Sequence, residues 1–300
     1  MSVHRLMILV VVLSTLLANS ALGQGRLYRL EAGSNRQEGC FAPCLCPIFI
    51  AEDLAGTFVL TEAASSDRCT RSFSITNVNW VYSTGGADVR LTGAGTYEIY
   101  SCGPWIRRSQ RLTLDLSEDG GRPRRFDSGI VAGGNSVPML DISVALNGFY
   151  CYDTAYHVVA NPVSKREMVS YNLHRSEYVE GCYAPCLCPI RSWDAAGSFV
   201  LVDINTNPNP ARKRYAVVNF QAETVGPIDP PDRAFSGFGI YSLGLSDQRL
   251  VLDVQDAVTG HLRLDSGIVV YSGGWPEINI DLSDNGFFCF NHAFNLHARP

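Results

Sequence analysis

The chain contains one ten-residue segment twice, and this repeat constrains the fold more than any other feature. The first copy, residues 39–48, reads Gly-Cys-Phe-Ala-Pro-Cys-Leu-Cys-Pro-Ile. The second, residues 181–190, differs only in having Tyr183 where the first has Phe41. So close a match, recurring about halfway along the chain, indicates that one structural unit is written twice.

The first residues have the form of a secretory signal. His4 and Arg5 precede an apolar run over 6–17, and mainly small residues follow over 18–23. The apolar run is too short to span a bilayer, and the small residues suit a cleavage site. We therefore predict a signal peptide over 1–23 and an extracytoplasmic mature protein, secreted or periplasmic, without a membrane span.

The remaining length suits two domains of ordinary size. A short polar segment at 161–167 separates the halves, so we predict domains over 24–163 and 164–300, the second an internal repeat of the first. The chain carries 24 basic and 29 acidic side chains. This mild negative balance favours solubility and argues against a nucleic-acid partner, which would require a basic face.

The ten cysteines follow the repeat. Four in the first half correspond to four in the second, and two have no counterpart: Cys40, Cys44, Cys46 and Cys151 match Cys182, Cys186, Cys188 and Cys289, whereas Cys69 and Cys102 are confined to the first half. Even numbers in each half of an exported chain predict disulfides within each domain. A structural Cys₄ zinc site is the alternative, but an oxidising compartment disfavours it, and we expect neither metal nor cofactor.

The pairing is only partly determined by spacing. Cys44 and Cys46 are too close for an easy mutual bridge. We expect one of the three early cysteines to pair with Cys151 and the other two to be Cys40 with Cys44 or Cys46. Cys69 would then pair with Cys102.

Short alternating segments predict strands throughout. Leu112, Leu114 and Leu116 share one face of such a segment, and the same period recurs in the second half. Asn147-Gly148 and Asn285-Gly286 predict hairpins in which both turn residues have positive φ, with the late cysteines on the returning strands. The predicted fold is all-β, namely two tandem homologous antiparallel domains, each a disulfide-stapled β-sandwich or meander barrel.

One motif suggests catalysis. Asp127-Ser128-Gly129 recurs as Asp265-Ser266-Gly267, and Asp-Ser-Gly once in each half of a two-lobed β protein is similar in outline to pepsin-like aspartic proteases. That resemblance implies a shared-proton carboxylate pair formed by Asp127 and Asp265. Ile130 and Ile268 stand where that family has Ser or Thr. We prefer the interpretation that Asp-Ser-Gly is turn or bulge chemistry at a strand edge.

Other chemistry-bearing residues are not duplicated. At the position that corresponds to each histidine, the other half has a different residue type. This holds for His157, His174, His261, His292 and His297. The histidines therefore do not predict a repeated catalytic or metal site.

Aromatic residues are placed alike in both halves. Tyr150, Tyr152 and Tyr156 correspond to Phe288, Phe290 and Phe294 and share one face of the last strand. Core packing is the interpretation that we prefer. The alternative is the wall of an apolar pocket or an exposed platform for glycans.

These patterns favour a non-enzymatic binding or structural module. We expect it to use its loops or the domain cleft toward an unknown extracytoplasmic ligand or protein. Two alternatives stay open: a bilobal aspartic-type hydrolase, and a carrier with a small apolar ligand inside each domain.

Overall fold

The computed structural model describes residues 25–64, 67–102, 108–134, 137–206, 210, 212–225, 233–271 and 274–300. The predicted signal peptide lies outside these residues. The described chain forms two antiparallel sheets and one short 3₁₀ helix, Lys165–Glu167. The all-β prediction is therefore confirmed. None of the helices within the described ranges has the length and apolar character required to cross a membrane.

The first sheet contains ten strands. They are β1 Arg26–Leu30, β2 Asn35–Cys40, β3 Phe49–Glu62, β4 Thr70–Thr84, β5 Ala87–Tyr100, β6 Ser109–Glu118, β7 Arg124–Asp127, β8 Val131–Ala132, β9 Leu140–Ala145 and β10 Tyr152–Pro162.

The second sheet repeats this pattern. Its strands are β11 Met168–Leu173, β12 Ser176–Cys182, β13 Arg191–Asp203, β14 Lys213–Val225, β15 Ala234–Leu243, β16 Asp247–Asp256, β17 Gly260–Asp265, β18 Val269–Val270, β19 Ile278–Ser283 and β20 Phe290–Arg299.

Each sheet closes on itself. In the first, β3 to β6 pair in sequence, β7 and β8 share the far side of β6, and β9 leads to β10. The last strand, β10, pairs with both β1 and β2, and both of these pair with β3. The second sheet closes in the same way through β20, β11 and β12. Of the two architectures predicted, the pairings give the meander barrel. We call the first sheet, β1 to β10, barrel 1 and the second, β11 to β20, barrel 2.

The weakest point of each wall is a seam before the last hairpin. Between β7 and β9 the register contains one pair, Asp127 with Ala145. A side chain crosses the seam, because Gln110 donates from Nε2 to the Asp141 carbonyl at 3.0 Å and accepts from the Tyr97 hydroxyl at 2.7 Å. In the second barrel one pair likewise joins β17 to β19, and the same bridge recurs as Tyr241, Gln248 and the Asn279 carbonyl. Buried side-chain hydrogen bonds thus replace missing ladder bonds.

The interior of each barrel is filled by its own side chains. In barrel 1, Trp80, Tyr156 and Phe126 are almost wholly buried. The ring of Phe126 meets that of Tyr156 edge to face at 4.9 Å. A barrel of about eight strand positions is just wide enough for such packing. In barrel 2, Phe294 meets Phe235 edge to face at 5.0 Å, and both rings contact the tilted ring of Tyr178.

The barrels also pack against each other. Ala55, Val81 and Val163 of the first share a buried apolar cluster with residues of the second, including Val202, Ile204, Ala216, Val218 and Ile240. Beside it, Arg90 lies 2.6 Å from the Asp253 carboxylate and donates to Asn79, whose amide in turn donates to the Gly239 carbonyl. Burial lowers the pKa of Arg90 to about 10, and Asp253 opposes the shift. A charge so deeply buried needs this partner.

The predicted Asn-Gly hairpin is corrected by the structure. Positive φ falls on Gly148, Phe149 and Cys151, but not on Asn147. The connection is longer than a two-residue turn because it wraps around the buried carboxylate of Asp153, which accepts backbone bonds from Asn147, Phe149 and Thr154. In barrel 2, the side-chain oxygen Oδ1 of Asn291 accepts the corresponding bonds from the backbone amides of Asn285 and Phe287.

The position predicted for the late cysteines is also corrected. Cys151 and Cys289 directly precede the last strands, which begin at Tyr152 and Phe290. Both residues have positive φ, because the wrapped loop ends at these positions.

Candidate functional site

Two disulfides hold the repeated segment at one end of each barrel. In barrel 1 they join Cys40 to Cys46 and Cys44 to Cys151, and barrel 2 has the matching bridges Cys182–Cys188 and Cys186–Cys289. A further bridge, Cys69–Cys102, is confined to barrel 1. These pairs fall within the alternatives left open by the spacing. The Cys44–Cys151 bridge ties the early segment of the barrel to its last hairpin.

A glycine in the repeat allows this close arrangement. Gly39 has φ of +151°, and a Cβ at this position would collide with the Ile48 carbonyl oxygen. Gly181 has φ of +152° and lies against Pro189 in the same way. The backbone of the disulfide segment can pack onto the strand only where no side chain intervenes.

The disulfides present apolar side chains to solvent. We call the exposed set in barrel 1 rim 1: Leu45, Ile48, Phe49, Ile50, Tyr150 and Tyr152. Rim 2 consists of the corresponding exposed residues of barrel 2: Leu187, Ile190, Phe288 and Phe290. Leu45 and Leu187 are fully exposed. Because this group lies on a braced scaffold, it has the character of a contact surface.

The interpretation of the aromatic series as core was wrong for two of its three positions. Tyr156 and Phe294 are buried, but Tyr150 is 63% exposed and Tyr152 is 52% exposed. Phe288 and Phe290 are likewise exposed. The reason is that only the third position of each series lies deep in the barrel, whereas the first two flank the cysteine at its end.

Aromatic contacts support the rims from below. Phe41 packs edge to face on Phe149 at 5.6 Å and on Phe49 at 5.8 Å. Tyr183 packs on Phe287 in the same manner at 5.2 Å. Phe41 and Tyr183 are the one pair of residues that differs between the two copies of the repeat, and both pack on the aromatic ring of the last loop.

Inside rim 1 lies a charged cluster that we call plug 1: Arg36, Glu38, Glu52, Glu118 and Arg124. The guanidinium of Arg36 bonds to Glu38 and lies 2.9 Å from Glu52, while Arg124 contacts Glu118 at 3.0 Å. Two tyrosines close the network, since the Tyr156 hydroxyl donates to Glu118 at 3.1 Å and the Tyr152 hydroxyl donates to Glu38 at 2.9 Å.

The network sets the ionisation of its members. Burial raises the pKa of Glu38, but hydrogen bonds from Arg36 and Tyr152 outweigh it and hold the pKa below the ordinary value. The ring of Tyr82 lies against the Arg36 guanidinium, 4.8 Å from its central carbon. Burial raises the pKa of Tyr82 to about 12, with Arg36 opposing. Burial also raises the pKa of Tyr156. At neutral pH Glu38 is therefore ionised, and Tyr82 and Tyr156 are neutral.

Barrel 2 has a plug of different construction, plug 2: Arg233, Tyr178, Glu180 and Asp256. Arg233 lies 2.6 Å from Glu180 and 3.3 Å from Asp256, and donates to the Tyr178 hydroxyl at 2.9 Å. By strand register Tyr178 occupies the position of Arg36, and Arg233 that of Val89. The arginine enters from another strand but reaches the equivalent carboxylates.

The sequence did not reveal these clusters. Arg36 and Glu38 lie two apart on a strand and so share a face, which was the one available signal. Arg233 shows no such pattern with Glu180 or Asp256, because the three residues come from distant parts of the chain.

The Asp-Ser-Gly motifs form two separate structural turns. Asp127 pairs with Arg111 at 2.5 Å and accepts the Gly129 amide, while Asp265 pairs with Arg249 at 2.6 Å and accepts the Gly267 amide. Each carboxylate is thus paired with an arginine and a backbone amide of its own barrel.

Both carboxyls have lowered pKa values. The Arg111 hydrogen bond lowers that of Asp127. Burial raises the pKa of Asp265, but the bonds from Arg249 and Gly267 outweigh it. A pair that shares one proton instead needs one raised pKa.

The histidines lie at separate places. His157 pairs with Asp141 at 2.9 Å and His292 with Asp284 at 2.8 Å. All the described cysteines are in disulfides. Across the described ranges, no three His, Cys, Asp or Glu side chains are grouped to hold a metal ion.

Comparison of the chain with protein-family models, with curated proteins and with solved structures finds no match.

Proposed function

We propose that the protein is an extracytoplasmic, non-enzymatic binding module, exported by a signal peptide over 1–23. Its two domains, over 24–163 and 164–300, present rim 1 and rim 2 to a partner. The observation that carries this proposal is that exposed apolar side chains at matching positions are braced by disulfides in both barrels. Keeping such surface in water is unfavourable, and a rigid presentation lowers the entropy cost of binding.

The two alternatives have less support. A hydrolase using Asp127 and Asp265 would need these carboxylates to share a proton, whereas each pairs with its own arginine. A carrier of an internal apolar ligand would need space inside the barrel, where rings such as Phe126 and Tyr156 are in contact.

The proposal is tested by placing charge on both rims. The double variant Leu45→Asp/Leu187→Asp alters two fully exposed side chains, so the fold should persist. Leu245→Asp is the matched control, because Leu245 is equally exposed but lies in the turn between β15 and β16.

Each mature protein is tagged, expressed in its native extracytoplasmic setting and purified with whatever it binds. We expect a defined partner to copurify with wild type and with the control, and to be lost from the rim variant. Equal recovery with all three proteins would contradict the proposal.

A further inference from the structure

Rim 1 differs from rim 2 in that the two exposed rings flanking its late cysteine are tyrosines and not phenylalanines. The rings of Tyr150 and Tyr152 flank Cys151, which the bridge to Cys44 fixes in place. The ring of Tyr152 is also oriented, since its hydroxyl donates to Glu38. Because this side chain is ordered before a ligand binds, binding costs less conformational entropy.

Plug 1 extends from the Tyr152 hydroxyl through Glu38 and Arg36 to an accessible ion pair, Glu118 with Arg124. The side chain of Arg124 is 40% exposed and that of Glu118 is 32% exposed, and the two lie 3.0 Å apart. A guanidinium donates hydrogen bonds and a carboxylate accepts them. Side by side, the two groups match a ligand that accepts one hydrogen bond and donates another. Two neighbouring hydroxyls have this property.

The charge of the site disfavours an anion. Plug 1 contains three carboxylates, Glu38, Glu52 and Glu118, against the two guanidiniums of Arg36 and Arg124. A phosphate, sulfate or uronate would add negative charge to a cluster that is already net negative.

Barrel 2 lacks this combination. Phe288 and Phe290 replace the two tyrosines, and Leu262 stands at the register position of Arg124. The side chain of Asp256, which corresponds to Glu118, is fully buried. Rim 2 has the His292 imidazole 5.3 Å from the ring of Phe290, but it lacks both the tyrosine hydroxyls and the exposed Arg–Glu pair of barrel 1.

From these observations we propose that rim 1 binds neutral oligosaccharides. The faces of Tyr150 and Tyr152 would pack on the C–H faces of sugar rings, because the negative ring face attracts weakly positive hydrogens. Arg124 and Glu118 would bond to a pair of hydroxyls and fix the orientation. This proposal rests on the proposed function of the rims and names the ligand class for one of them.

The test uses the mature full-length chain and isothermal titration calorimetry. The probes are neutral hexasaccharides of glucose, mannose, xylose or N-acetylglucosamine units, with hexagalacturonate as the anionic comparison. We expect at least one neutral probe to bind and hexagalacturonate to bind more weakly. Heat from none of the neutral probes, or tighter binding of hexagalacturonate, would overturn the proposal.

Variants locate the site. Tyr150→Ala is the cleanest, because the side chain is mostly exposed, and it should weaken binding about tenfold through lost packing. Tyr152→Phe keeps the ring but loses the hydroxyl that orients it, so it should weaken binding less than Tyr150→Ala does. Arg124→Leu, which copies barrel 2, should lose most of the affinity. Phe288→Ala is the matched control and should bind as wild type. An unchanged affinity in Tyr150→Ala, or an equal loss in Phe288→Ala, would refute the assignment to rim 1.

The outcome is separable from that of the proposed function. If the sugars do not bind but the aspartate variant still loses a protein partner, the sugar proposal fails and the binding module stands. If sugars bind at rim 1, both are supported.

Discussion

The two barrels have equivalent walls but differ in the charged cluster, or plug, that closes one end of each. Both walls carry an Arg–Asp pair beside a Ser-Gly turn and a Tyr–Gln bridge across the seam. Both ends are tied by equivalent disulfides. The arginine of the plug, however, comes from β2 in barrel 1 and directly precedes β15 in barrel 2.

This difference separates what the fold requires from what can vary. The position of the positive charge in space is kept, because a buried carboxylate without a cation is costly. The strand that supplies the charge is not kept. Buried features with an equivalent in both barrels, including the two plugs, are therefore assigned to folding. The exposed rims are assigned to partner binding, and the tyrosines present only in rim 1 to specificity.

The largest effect should come from removing the long-range disulfides. Cys44→Ala/Cys151→Ala opens a bridge across 107 residues and Cys186→Ala/Cys289→Ala one across 103. Each should lower the free energy of unfolding by about 4–5 kcal/mol, since the unfolded chain gains the entropy of a long loop.

Urea unfolding measures both losses. Opening Cys40–Cys46, which spans only 6 residues, is the control and should cost about 2 kcal/mol. A clearly unequal effect of the two long bridges would argue against equivalent walls.

Removing the buried arginine should cost somewhat less. Arg36→Met leaves Glu52 buried without its cation, and Arg233→Met does the same to Asp256. Each should destabilise by about 3–5 kcal/mol in urea unfolding.

A graft sharpens the comparison. Placing the barrel 2 residues in barrel 1, as Arg36→Tyr, Glu52→Trp, Val89→Arg and Glu118→Asp together, should recover most of the stability lost in Arg36→Tyr alone. No recovery would mean that the two plugs are not alternative solutions to one problem.

Breaking the seam bridge should have a smaller effect. Gln110→Met removes the acceptor of Tyr97 and the donor to the Asp141 carbonyl, which should cost about 1–3 kcal/mol because buried polar groups lose their partners. Gln248→Met should match it in barrel 2. Gln37→Met, on the outside of β2, is the control and should leave the unfolding midpoint nearly unchanged.

The smallest effect concerns the loss of stability at acidic pH. The pKa values of Asp127 and Asp265 are lowered in the fold. Each carboxylate therefore stabilises the folded protein at pH values above its unfolded pKa of about 4. This contribution is lost as the pH falls through the folded pKa. Asp127→Asn and Asp265→Asn should each make stability less dependent on pH below about 4. Thermal unfolding across pH tests this. Asp115→Asn, at an exposed neighbour on β6, is the control for the loss of one negative charge.

Local patterns predicted much of the wall. The alternation of Leu112, Leu114 and Leu116 correctly placed their side chains in the core, since a strand buries every second residue. The choice between sandwich and barrel could not be made in this way. Closure depends on the pairing of β10 with β1 and β2, which are far apart in sequence.

The end of each barrel was harder to predict. Asn147-Gly148 favoured a two-residue turn, but the buried carboxylate of Asp153 offered three backbone amides a better partner. The exposure of Tyr150 and Tyr152 depends on where the strand leaves the core, which alternation alone does not determine.

The central claim is that the rims, and not other apolar surface, contact a partner. Photo-crosslinking tests it most directly, with p-benzoylphenylalanine placed at Leu45, Leu187 or Leu245, three side chains that are equally exposed. In the native extracytoplasmic setting, we predict a discrete crosslinked product from Leu45 and Leu187 but not from Leu245. Crosslinking from Leu245 alone, or equally from all three, would contradict the account.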